Sequence, residues 1–230
     1  MKLLLLLAGL VFSTSAWSAR TAFQARCEDT IGASVAALTA RDGGYSINNK
    51  LSYKTLTRMK GHEGSSSFVL GLTRTESRIN IGLDGKLLGD PDSGYECIAP
   101  HVTVALSYIP VVIYVGSEFL PGTCAYQEIL AHEMRHLKAY LDHLPKVEAL
   151  VRAALKKRFA GQPIYAPGGQ AKGLLEQEMD GGWMPYIKNE MAKVEQLQAA
   201  IDSPQEYARL SKVCKGEVQL LIGPPKRNKR

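Results

Sequence analysis

One stretch of the chain decides its fold class. Residues 121–144 read PGTCAYQEILAHEMRHLKAYLDHL. After the Pro-Gly pair, Thr123 is a favourable helix N-cap, and apolar residues then recur at steps of three and four, the period of an amphipathic helix. The apolar stripe comprises Ile129, Leu130, Leu137, Tyr140, Leu141 and Leu144. The stretch therefore predicts a helix with one buried face, and we expect this helix to end or restart at Pro145.

The two sides of this helix differ in pattern. Before it, short alternating or β-branched runs predict four strands, and Asp84-Gly85 is typical of a hairpin turn. These strands are expected at residues 68–72, 79–83, 102–106 and 111–115. After it, helical spacing dominates to the end of the chain, interrupted by a Gly/Pro-rich loop at residues 160–173. The order predicts an α+β fold, in which a small mixed N-terminal sheet is followed by the motif-bearing helix and C-terminal helices.

The ends of the chain differ from its body. Residues 1–19 have a positive start, a short apolar run and small residues after it, as in a secretory signal peptide. Residues 20–222 are then expected to form a single domain, and residues 223–230 a basic, disordered tail. No later stretch is long and apolar enough to cross a membrane. The predicted location is therefore the periplasm or the outside of the cell.

Cysteines and charge narrow the class further. The even set Cys27, Cys97, Cys124 and Cys214 predicts two disulfides in an exported protein, with three pairings open. The net charge is +6, but five of the positive residues lie in the leader and the tail, which leaves about +1 on the body. A basic face for nucleic acid is therefore not expected.

The predicted helix carries the one motif with clear chemistry. Residues 132–136 read HEMRH, which is the pattern H-E-x-x-H. Four residues are about one helical turn, so His132 and His136 lie on the same face and can bind one ion. Glu133 lies beside that ion, where a carboxylate can take a proton from an attacking water. The motif predicts a Zn²⁺ site with Glu133 as general base.

On these residues the chain resembles the zincin metallopeptidases, and the pair Glu176 and Asp180 makes it similar to the gluzincin type, with Glu-x-x-x-Asp on a second helix. The resemblance implies that His132, His136 and Glu176 bind zinc. It also implies that Asp180 orients a ligand histidine. A weaker likeness, by layout alone, is to the bacterial secreted zinc-protease-like domain of unknown function.

Other ligands and other functions stay open at this stage. Glu178 is the fallback for the third ligand, whereas His143 and Asp142 follow His136 without a glycine that would bend the chain back. The leading expectation is a zinc-dependent hydrolase acting on a peptide or protein. The alternative is a non-catalytic exported binding or assembly protein that holds a structural zinc or no metal.

Overall fold

The computed structural model describes residues 20–61, 68–159 and 161–222. The predicted signal peptide and the predicted basic tail lie outside the described residues. The helices are α1 (Ala22–Ile31), α2 (Tyr53–Met59), α3 (Cys124–Arg158), α4 (Ala171–Glu178), α5 (Met184–Ala192), α6 (Val194–Ile201), α7 (Pro204–Leu210) and α8 (Glu217–Ile222). The strands are β1 (Val35–Asp42), β2 (Tyr45–Asn48), β3 (Gly71–Arg74), β4 (Ser77–Asp90), β5 (Tyr95–Tyr108), β6 (Val111–Val115) and β7 (Ile164–Pro167). The fold is α+β, as the sequence predicts.

The strands form two mixed sheets. One has the order β1-β5-β4, with β7 also on β5, and the other has the order β2-β6-β3. The parallel pairs β1/β5 and β2/β6 have the same register. Asp42 is opposite Tyr108 in the first pair, and Tyr45, three residues later, is opposite Val111 in the second. The same register is therefore kept on both sides of the short breaks between β1 and β2 and between β5 and β6, where one sheet gives way to the other. This arrangement leaves β3 at an edge.

Helix α3 packs against four of the strands, β1, β3, β5 and β6. Its N-cap is the predicted one, since the Thr123 side chain accepts a hydrogen bond from the Tyr126 N–H. The predicted break at Pro145 is wrong, because the helix runs through it. A proline inside a helix costs about 3 kcal/mol. Burial of the next three stripe residues stabilises by about 1.5–3 kcal/mol each and outweighs that cost. Those residues are Val147, Val151 and Leu155.

The predicted hairpin at Asp84-Gly85 is also wrong. Strand β4 continues through both residues, which pair with His101 and Pro100 of β5. The chain turns only after Asp90, at a point where Gly94 adopts a positive φ of 70°. Gly85 instead permits close approach of the strands, because a Cβ there would lie 2.6 Å from the Ala99 carbonyl oxygen.

Two disulfides join distant parts of the chain, as the cysteine count predicts. The first, Cys27–Cys97, is fully buried and ties α1 to β5. The second, Cys124–Cys214, ties the first residue of α3 to the segment between α7 and α8. Disulfides of this kind persist in an oxidising compartment. Within the described part of the chain, no helix is long and apolar enough to span a membrane.

Candidate metal centre

The two motif histidines lie on the buried face of α3, as their spacing predicts. His132 is 4% exposed and His136 is 7% exposed. Their ring centroids are 4.9 Å apart, and the two Nε2 atoms approach to 3.2 Å. Two imidazole nitrogens are thus directed at the same point beside the helix.

The third member of the group is Asp202, which sequence analysis did not single out. Asp202 is the C-cap of α6, and α6 packs against α3. Ser203 then caps α7, so the chain turns sharply at this position. The turn places Asp202 Oδ1 at 3.2 Å from the Nε2 atoms of both His132 and His136.

The three donor atoms fit a tetrahedral zinc ion. They form a nearly equilateral triangle with 3.2 Å sides. Zinc bonds to nitrogen and oxygen are about 2.0–2.1 Å long, so the edge of a zinc tetrahedron is about 3.3–3.4 Å. Two imidazoles and one carboxylate also form an ordinary zinc ligand set. Two groups of possible metal ligands converge within the described residues. One contains the disulfide-bonded Cys124 and Cys214, and the other is His132, His136 and Asp202.

The electrostatics of the group favour a bound positive charge. Burial alone would raise the pKa of Asp202, but hydrogen bonds with His132 and His136 outweigh burial and lower it. Burial opposes the charged form of His136, yet the Asp202 carboxylate raises the pKa of that imidazole. A carboxylate and two converging imidazoles are therefore stable together when they share a cation, either a proton or a metal ion.

Gln198 fixes the orientation of His136. His136 Nδ1 is 2.5 Å from Gln198 Oε1, and Gln198 Nε2 donates to the His136 carbonyl oxygen at 3.2 Å. Because a carbonyl can only accept, the amide nitrogen must face it and the amide oxygen must face Nδ1. Nδ1 of the neutral ring then carries the proton, and Nε2, which faces His132 and Asp202, keeps its lone pair.

A charged cluster surrounds His132. Its Nδ1 lies 3.3 Å from Glu206 Oε1 and 2.9 Å from an Arg135 nitrogen. Glu206 also pairs with Arg135 and with Arg209, which it contacts at 2.8 Å and 3.0 Å. Hydrogen bonding to Arg209 is the main reason that the pKa of Glu206 is lowered to about 2. The cluster therefore keeps a carboxylate next to His132, which is a common way to orient a metal-binding imidazole.

Glu133 lies beside the histidines and is almost completely buried, with 4% of its surface exposed. Burial raises the pKa of its carboxyl group, although the nearby His136 and His132 oppose that shift. Its Oε2 is 2.9 Å from the Thr73 hydroxyl on β3. A carboxylate with a raised pKa is suited to accept a proton and to release it again.

These groups open onto a cavity of about 340 Å³. The histidines, Glu133 and Asp202 form its polar wall. Its other walls come from the start of β3, from α3 and from α6, α7 and α8. Apolar lining residues include Leu70, Ile129, Leu210, Val218 and Ile222. The donor triangle therefore borders a cavity with room for a molecule with apolar groups.

The structure does not bring Glu176 or Asp180 to this centre. Glu176 is exposed on α4 and pairs with Lys172 at 3.8 Å, and Asp180 is exposed in the π-helical turn that follows. Glu178 pairs with Arg158 at the far end of α3. At about 1.5 Å per residue, that end is roughly 30 Å along the axis from His136. The structure therefore does not bring Glu176 or the fallback Glu178 to the two histidines, and Asp202 is the carboxylate that lies beside them.

The two remaining candidates on α3 are also placed elsewhere. His143 is buried, and its Nδ1 lies 3.0 Å from the Tyr108 hydroxyl, so it is a packing residue. Asp142 is exposed and pairs with Lys138 at 2.6 Å. One sequence signal could have found the missed residues: Gln198, Asp202 and Glu206 follow each other at four-residue steps across the cap at Ser203.

Comparison of the chain with protein-family models, with curated proteins and with solved structures gives no match.

Proposed function

We propose that the protein is a zinc-dependent hydrolase of the zincin type that cleaves peptide bonds. The observation that supports this most is the 3.2 Å triangle of His132, His136 and Asp202, with the buried carboxylate of Glu133 beside it. Three protein ligands leave a fourth zinc position open, which is the pattern of catalytic rather than structural sites. The three residues that would hold the metal line the cavity.

When bound, zinc would acidify a water molecule and polarise the substrate carbonyl. His132, His136 and Asp202 would hold the metal. Glu133 would take a proton from the attacking water and then deliver it to the leaving amine.

The edge strand β3 supports a polypeptide as substrate. Leu70 and Gly116 form a hydrogen-bonded pair, since the Gly116 N–H donates to the Leu70 carbonyl at 2.8 Å. Pairs alternate in an antiparallel ladder, so the N–H and C=O groups of Gly71 and Thr73 point away from β6. Both residues line the cavity. An extended peptide could add to this edge by main-chain hydrogen bonds.

Export to the periplasm or the cell exterior is part of the proposal. It is supported by the two disulfides and by the signal-like pattern of residues 1–19. Zinc and an apolar-lined cavity in such a compartment suit the hydrolysis of exported or external proteins.

The test is metal content together with hydrolysis. Protein purified from an oxidising compartment is expected to carry about one zinc per chain and to cleave members of a broad peptide library, with cleavage lost on chelation and restored by zinc. Bound zinc without cleavage of any peptide would instead support the non-catalytic alternative. Absence of zinc binding would reject the zinc hydrolase and leave the non-catalytic alternative in its metal-free form.

Gln198→Leu tests the orientation of His136 by removing both hydrogen bonds to it. We expect zinc affinity to fall by about 10–100-fold, the usual effect of removing a partner of a metal-binding imidazole. Competition with a chelating dye measures the affinity. The matched control is Gln196→Leu, on the exposed side of the same helix, which should bind zinc as the native protein does. Native affinity in Gln198→Leu would contradict the orienting role.

A further inference from the structure

The general base of the proposed reaction has one side-chain partner among the described residues. Thr73 Oγ1 lies 2.9 Å from Glu133 Oε2 and 3.0 Å from the Glu133 backbone oxygen. Oε2 of the ionised carboxylate and the backbone oxygen of Glu133 can only accept hydrogen bonds, so they share the single hydroxyl proton of Thr73. A carboxylate that is 4% exposed has little water to replace this contact. The Thr73 hydroxyl therefore helps to fix the position of the Glu133 carboxylate.

Gly71, two residues earlier on the same strand, faces the same carboxylate. A Cβ at this position would lie 2.7 Å from both Cγ and Oε1 of Glu133 and 2.8 Å from Ile129 Cγ2. These approaches are too short for real atoms, so Gly71 leaves the space that the carboxylate fills. Residues i and i+2 of a strand share a face. The face of β3 thus holds one carboxylate oxygen with a hydroxyl and makes room for the other.

We propose that Thr73 is a positioning residue for Glu133, a role that rests on the proposed hydrolase function. The Thr73 hydroxyl holds Oε2 of Glu133 in place by a hydrogen bond. Oε1 of Glu133 has no hydrogen-bond partner within the part of the chain that the structure describes. Oε1 is then the oxygen that accepts the proton of the attacking water and releases it to the leaving amine. Thr73 keeps its own proton throughout.

The strand also links the base to the substrate. The backbone groups of Gly71 and Thr73 point away from β6, to an edge that no described strand pairs with, and their face contacts Glu133. A peptide paired with this edge would therefore be registered against the same residue that orients the carboxylate. Thr73 affects the chemical step through the base, whereas its main-chain groups affect binding. A side-chain substitution separates these two effects.

The test compares Thr73→Val, Thr73→Ser and Thr75→Val in the zinc-loaded protein. Valine has the shape of threonine without the hydroxyl, so Thr73→Val should lower kcat by about 10–100-fold. KM and zinc affinity should stay within about twofold of native values, because ligands and backbone are untouched. Thr73→Ser should recover most of kcat. Thr75→Val is the matched control, since the Thr75 hydroxyl has no hydrogen-bond partner among the described residues.

Three results would overturn the proposal. They are a native kcat in Thr73→Val, an equal loss in Thr73→Ser, and a loss of zinc affinity that parallels the loss of kcat. If the native protein cleaves no peptide, the hydrolase function fails by itself. Crystal structures of native protein and Thr73→Val then decide the positioning role alone. A carboxylate of Glu133 that stays in place without the hydroxyl would refute it.

Discussion

Glu133→Gln is expected to keep zinc and fold and to lose nearly all turnover. The amide has the shape of the carboxylate and can still accept the hydrogen bond from Thr73, so the burial at this position is preserved. An amide cannot take a proton from water, and general base catalysis typically contributes about 10²–10⁴-fold to a rate. We therefore expect kcat to fall by at least about 100-fold. Steady-state kinetics and zinc analysis on the same preparation measure the two effects.

Glu148→Gln is the matched control for this experiment. Glu148 lies on the same helix and pairs with Arg152, away from the cavity. This variant should hydrolyse peptides at the native rate. If Glu133→Gln also hydrolyses them at the native rate, the catalytic role of the motif is wrong, whatever the zinc content.

Asp202→Ala is expected to abolish tight zinc binding. The substitution leaves two imidazoles where three donors converge at 3.2 Å. Removal of an outer partner already weakens metal binding by about 10–100-fold, so loss of a direct ligand should exceed about 100-fold. The comparison variants are Glu176→Ala and Asp180→Ala, whose exposed side chains lie far from the histidines. Both should bind zinc as tightly as the native protein does.

A second measurement avoids any dependence on activity. A ligand that binds only the folded state stabilises it by about 2.7 kcal/mol at 100 times its Kd. Added zinc should therefore raise the Tm of the native protein and of Glu176→Ala, and leave the Tm of Asp202→Ala unchanged. Full zinc occupancy in Asp202→Ala, or its loss in Glu176→Ala, would return the third ligand to the position that the sequence resemblance implies.

The sequence predicts what depends on local pattern. The helix that carries His132 and His136 follows from apolar spacing and from the cap at Thr123. The approach of Asp202 does not, because it depends on how α6 packs against α3, 66 residues after His136. Glu176 and Asp180 have the spacing of a known ligand pair, but α4 lies at the other end of α3. The spacing of residues within one helix can be read from the local sequence, whereas the contact between two helices depends on the packing of the whole core.

The same distinction explains the two local errors in the fold. Pro145 and Asp84-Gly85 are genuine signals of chain breaks and turns. Each is overridden by long-range packing, the first by the buried stripe of α3 and the second by the paired strands β4 and β5. Sequence patterns were therefore dependable for the type of an element and less so for its ends.

The disulfide between Cys124 and Cys214 has a consequence for biosynthesis. The ribosome makes the chain from the N-terminus at about 5–20 residues per second, so the histidines emerge several seconds before Asp202. Cys124 likewise emerges before its disulfide partner Cys214. A nascent chain can hold both imidazoles in a formed helix and still lack the carboxylate that completes the donor triangle. The donor triangle is thus incomplete until synthesis has passed residue 202, and the bond that ties this region to α3 closes only where thiols are oxidised.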